Sequence, residues 1–161
     1  MAKKDKNKTN VMRILDKAKL PYTPHEYDHE YGAVDGVTVA ARLGQKVEEV
    51  FKTLVCHGHS GDYCVFVIPV AEALDLKKAA RAAGEKSVEM IPVRDINSVT
   101  GYVRGGCSPI GMKKSYKTVF DESCKSIHHI IVSAGKIGYQ IEMEPEALVA
   151  FVRGSVADII K

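Results

Sequence analysis

Lys52 interrupts the otherwise apolar run EEVFKTLVCHG at 48–58, and burying an ammonium is costly unless oxygen atoms accept its hydrogen bonds. On a strand, alternation places Lys52, Leu54 and Cys56 on one face and Thr53, Val55 and His57 on the other. Two readings follow. Lys52 can lie at a frayed strand start, its aliphatic stem on apolar surface and its ammonium in water. Alternatively it stands at the rim of a pocket and holds a carbonyl, phosphate or ribose oxygen as a compact charge with three donors. The opposite wall of such a pocket is offered by RGGCSPIG at 104–111, where Gly105, Gly106 and Gly111 allow close backbone approach and Pro109 stiffens the turn. Backbone amides and carbonyls would then be the reading groups; the plainer alternative is a long connection with ordinary turn residues.

Other chemistry-bearing residues carry less. Cys107 invites a thiol nucleophile, but that role needs a neighbouring base or a depressed pKa, and nothing local supplies either. Gly106 and Gly111 have phosphate-loop spacing, yet Met112 stands where that motif requires lysine. His57 and His59 flank a turn without a third ligand, and His128 and His129 point to opposite faces of a strand, so no metal site is expected. SAGKIG at 133–138 contains the G-x-x-G of a nucleic-acid clamp, but strands rather than helices flank it, which favours a β-turn.

These residues must be positioned by the surrounding elements. Val11, Ile14, Leu15 and Ala18 follow helical spacing behind Thr9 or Asn10 as N-cap, and Pro21 ends that helix. YTPHEYDHE reads as a short strand, TVAARLG as a helix capped by Thr38 and closed by Gly44. FKTLVCHG and DYCVFVIPV, separated by HSG, form a hairpin. DLKKAARAAG is a helix capped by Asp75 and ended by Gly84, and PVRDINSVTG is a further helix with Pro92 in its first turn. Strands at KTVF, HHIIVS and YQIEM precede a last helix that begins at Pro145. Because strands and helices mix without strict βαβ alternation, the expected class is α+β: a mixed, largely antiparallel sheet or open barrel surrounded by helices.

With 161 residues, 45% hydrophobic and 27% charged, the chain suits one globular domain at 10–161 behind a flexible basic tail at 1–9. No apolar stretch approaches the roughly 18 residues of a membrane helix, and the polar N-terminus lacks the hydrophobic region of a secretory signal. A cytoplasmic protein with free thiols is expected, its four cysteines being spread singly. The net charge of +3 mildly favours anionic partners, whereas the absence of Trp and the presence of only four Phe argue against an aromatic RNA-binding sheet.

Taken in order, YDHE at 27–30, FKTLV at 51–55, LKKAA at 76–80, GYVRGGCSPIG at 101–111, KTV at 117–119 and VSAGKIGYQIEMEP at 132–145 resemble the YbaK-type aminoacyl-tRNA deacylases. These are free-standing relatives of the editing domain inserted in bacterial prolyl-tRNA synthetases. The resemblance runs from about residue 10 to the C-terminus and is nearest to the branch that acts on Cys-tRNA(Pro). It implies that Lys52 is the required catalytic lysine, with Thr53 beside it and Tyr27 as the pocket aromatic. It further implies that Gly105, Gly106, Ser108 and Pro109 contact the substrate, with Ser133 and Gly135 as a further pocket segment. Cys107 would occupy a variable position. The implied activity is removal of cysteine from Cys-tRNA(Pro), or also from Cys-tRNA(Cys), by attack of the substrate's own thiol. No cofactor or metal is implied. The implied partners are the aminoacylated tRNA 3′ end and prolyl-tRNA synthetase, with no membrane. Two alternatives remain: a deacylase for another mischarged tRNA such as Ala-tRNA(Pro), or a non-catalytic module that binds tRNA or a synthetase.

Overall fold

Cys64, Phe66 and Ile68 alternate with Val65 and Val67 along a strand buried on both faces, and this strand organises the molecule. The computed structural model describes residues 8–28 and 35–161; residues 1–7 of the proposed 1–9 tail and part of YDHE lie outside them. Its elements are α1 (Asn10–Lys17), β1 (Thr23–Glu26), α2 (Gly36–Leu43), β2 (Phe51–Gly58), β3 (Tyr63–Pro69), α3 (Leu76–Ala83) and β4 (Val88–Met90). There follow α4 (Ile96–Thr100), β5 (Lys117–Asp121), β6 (Ile130–Ser133), β7 (Tyr139–Met143), α5 (Pro145–Phe151) and β8 (Ser155–Ala157).

One sheet has the order β4-β2-β3-β5-β8, with β3, β5 and β8 parallel and the other pairings antiparallel. A second, wholly antiparallel sheet has the order β1-β7-β6. The expected α+β class with mostly antiparallel pairing is what the chain adopts. A barrel does not close: the sheets touch through one parallel bridge, Val50 with Ile131. Period-two alternation explains the layering. Even-numbered β3 residues meet Ala79, Ala80 and Ala83 of α3, while Val65 and Val67 face a larger core with Phe120, Ile130, Val132, Ile141 and Leu15.

Local chemistry sets most element ends. Thr9 caps α1 by accepting from Met12 N, and Asp75 caps α3 by accepting from Lys77 N and Lys78 N. Gly44 and Gly84 end α2 and α3 with φ of 66° and 71°, the left-handed form that glycine adopts freely. Two expectations need correction. The cap of α2 is Asp35 rather than Thr38: Thr38 lies inside the helix and donates both its N–H and its hydroxyl to the Asp35 carboxylate. An ionised acceptor outcompetes a hydroxyl for this place, and the bonds hold Asp35 below the usual carboxylate range. PVRDINSVTG does not form one helix but a 3-10 turn at Val93–Asp95 followed by the five-residue α4. There Thr100 Oγ1 donates back to Ile96 O and accepts from Tyr102 N, competing with helix continuation.

Candidate active site

Thr53 Oγ1 is buried with no hydrogen-bond partner among the described residues. It belongs to a stretch of β2 that borders a cavity of about 800 Å³, together with Lys52 and Leu54. Lys52 is half-buried and sits opposite Ile68 in the hairpin. Among the described residues its ammonium has neither an ion pair nor a hydrogen bond. The reading in which Lys52 lies at a frayed strand start is therefore replaced by one in which it stands within the hairpin, on the cavity wall.

The other walls come from distant parts of the chain. Tyr27 follows β1 and is nearly buried; Ser133 and Gln140, register partners on β6 and β7, and Tyr139 contribute a polar side. Arg104, Gly105 and Cys107 bring the glycine loop to the cavity. Val37, Met90 and Val93, at 45%, 47% and 54% exposure, form an apolar lip. Asp35 is a carboxylate on this wall and its oxygens are engaged by Thr38, so Lys52 and Arg104 leave the cavity suited to ligands rich in oxygen or negative charge.

Of the residues expected at the site, Tyr27, Lys52, Thr53, Gly105 and Ser133 line this cavity, whereas Gly106, Ser108, Pro109 and Gly135 do not. Their positions have structural causes. A Cβ on Gly106 would lie 3.0 Å from Ile137 N, so its missing side chain lets the glycine loop lie against the β6–β7 turn. Ser108 is wholly buried and its hydroxyl accepts from Ile110 N, while Pro109 is buried beside it. Gly135 has φ of +89°, and its N–H donates to Ser133 Oγ.

Gly135 carries a direct test. An alanine there would take up a left-handed backbone and place its Cβ 2.9 Å from Tyr102 Cε1 and 3.0 Å from Val11 Cγ2. Backbone strain of about 1–2 kcal/mol and overpacking of about 1–3 kcal/mol lead us to expect Gly135→Ala to lower unfolding free energy by about 2–5 kcal/mol. Denaturant titration measures it; a loss below about 0.5 kcal/mol would show that this turn adjusts freely.

Cys107 borders the cavity, but burial pushes its thiol up to about 11, only partly opposed by a hydrogen bond with Thr100. It is thus a protonated thiol at neutral pH and a poor nucleophile. Among the described residues no group of three or more His, Cys, Asp or Glu is placed to hold a metal ion. Arg104, Tyr139 and Gln140 lie within or beside the glycine-loop and SAGKIG motifs, but no local feature of the sequence marks them as cavity residues. Nothing local marks Met90, Ile91 or Val93, which reach the cavity only through the pairing of β4 with β2 and the turn that follows.

Comparison with known proteins agrees with this architecture. The family model of the aminoacyl-tRNA editing domain matches residues 32–151. A protein of Enterococcus faecalis (strain ATCC 700802 / V583), which bears the provisional name Cys-tRNA(Pro)/Cys-tRNA(Cys) deacylase EbsC, is 45% identical over 157 residues, covering 98% of this chain and 96% of its own. Among solved structures, the hypothetical protein APE2540 superposes with a TM-score of 0.85 at 23% identity, over 95% of this chain and 100% of the other. A structure provisionally titled as a trans-editing enzyme for prolyl tRNA synthetase superposes with a TM-score of 0.80 at 22% identity, over 94% and 96%. At such identities these two likenesses concern the fold, while the family match and the E. faecalis relative extend over most of the sequence: the chain belongs to the aminoacyl-tRNA editing domain family.

Proposed function

We propose that the protein removes cysteine from mischarged Cys-tRNA(Pro), and also from Cys-tRNA(Cys), by attack of the substrate's own thiol. The observation that carries this reading is the Lys52 ammonium, without a partner among the described residues, on a cavity also bordered by the Gly105 loop. Support comes from membership of the editing family and from the name borne by the E. faecalis relative.

In this mechanism the cysteinyl sulfur loses its proton and attacks the ester carbonyl carbon. A C–S bond forms, the C–O bond to the ribose breaks, and the ribose oxygen takes up a proton. The products are tRNA with a free terminal hydroxyl and a cyclic thiolactone of cysteine. Folding the substrate into this geometry can contribute about 7–11 kcal/mol in favourable cases. Lys52 would orient the ester and stabilise negative charge developing on its oxygen, with Thr53 next to it in the strand completing this stretch of the cavity wall. Tyr27, Ser133 and Gly105 would bound the terminal adenosine and the amino acid. Gly106, Ser108, Pro109 and Gly135 would act from behind this wall by holding the loop and turn in place. One domain spanning 10–161 would suffice for this work, and prolyl-tRNA synthetase, in the cytoplasm, would supply selectivity for the tRNA.

Cys107→Ala separates this mechanism from one with a protein thiol. We expect kcat/KM on Cys-tRNA(Pro) to fall less than about fivefold, because the group removed is a protonated thiol without a base. Thin-layer analysis of released cysteine and thiolactone is the readout. A folded but inactive variant would make Cys107 the nucleophile and refute the substrate-thiol route.

A further inference from the structure

We infer that Arg104 and Lys136 form a two-cation clamp at the cavity mouth that grips RNA backbone phosphates just 5′ of the terminal adenosine. This rests on the proposed tRNA substrate and adds how the rest of the strand is held. Arg104 is exposed, borders the cavity and, among the described residues, has no ion pair or hydrogen bond. Lys136 is exposed on the β6–β7 turn, and its Nζ lies 5.2 Å from the centre of the Tyr139 ring, itself a cavity wall. The two share one rim because Gly106, two residues beyond Arg104, packs on the backbone of Lys136 and Ile137.

Glu26 faces Tyr139 and its carboxylate accepts from the Tyr139 hydroxyl; burial first, and then the charge and hydrogen bond of Glu26, hold Tyr139 above its ordinary pKa. That carboxylate is thereby partly occupied, and among the described residues neither Arg104 nor Lys136 forms an ion pair with a carboxylate. Their exposure differs in an informative way: Lys52, on the cavity wall, is half-buried, Arg104, on the same wall, is exposed, and Lys136, not itself part of the wall, is exposed against Tyr139, which is. A polynucleotide whose last nucleoside occupies the cavity must leave past the rim, where a guanidinium can bind phosphate bidentately and an ammonium as a point charge.

The test pairs binding with turnover, using Arg104→Gln with Lys136→Gln in one chain. Fluorescence anisotropy with a labelled, uncharged single-stranded RNA ending in the tRNA 3′ sequence should show about tenfold or greater weakening. It should also show a salt dependence reduced by about 1.4 in log–log slope, from two lost contacts at ~0.7 each. In turnover, the ratio of kcat/KM on Cys-tRNA(Pro) to that on a cysteinyl ester of adenosine alone should fall about tenfold, mainly through KM. Unchanged binding and salt slope, an equal loss on both esters, or equally tight binding of inorganic polyphosphate would overturn the clamp. Wild-type protein that binds the RNA with the stated slope yet cleaves neither ester would refute the deacylase reading and leave the clamp standing.

Discussion

Lys52→Met is expected to lower kcat/KM on Cys-tRNA(Pro) by at least about a hundredfold while leaving the fold intact. Among the described residues the Lys52 ammonium makes no ion pair or hydrogen bond, so its removal breaks no structural contact. Methionine keeps an unbranched apolar stem against the wall and relieves the cost of a half-buried charge. What disappears is a positive group on the cavity wall, which the proposed mechanism sets against the ester, and loss of one donor to a developing oxyanion typically costs on the order of 10²–10³ in kcat. The expected signature is a lower kcat, with the thermal midpoint not lowered and far-ultraviolet dichroism unchanged. A folded Lys52→Met protein with activity within about threefold of wild type would remove the lysine from the mechanism.

The second large effect concerns the substrate. Cys-tRNA(Pro) should be cleaved at least about a hundredfold faster than Ser-tRNA(Pro), although the two esters differ by one atom, because a hydroxyl is far less available as an internal nucleophile than a thiol of pKa near 8.5. The rate should climb with pH up to that of the substrate thiol and then level. An inflection there would not arise from the protein's buried thiols: burial pushes Cys107 up to about 11 and Cys56 up to about 12. Equal rates on the two esters, with free serine and cysteine as the products, would favour an activated water and the broader deacylase alternative. A chain that binds both and cleaves neither would be the non-catalytic module.

The legible parts of the fold were those written in short-range chemistry. The hairpin of β2 and β3 could be read from two β-branched runs around His59–Gly61, and α3 from Asp75 and Gly84. The strands β4 and β8, three residues each, are too short to show any period and form because β2 and β5 offer them an edge. Asp35 was passed over as a cap because Thr38 looked like the start of its helix; the carboxylate three residues earlier is the stronger acceptor.

The candidate site divides along the same line. Lys52 could be singled out because an ammonium at the mouth of an apolar run is costly, and the glycine loop because its composition permits close approach. The sequence alone determined these local demands: which residues prefer strand, where a helix must stop, and which charge stands out among apolar neighbours. Only the tertiary structure decided that Lys52 and Gly105 border one cavity, that Gly106 and Gly135 lie outside its lining, and that Met90 and Val93 form its lip. The reason is physical. Propensity and capping act within a few residues, whereas a cavity is bounded by side chains far apart in sequence, brought together by sheet register and core packing.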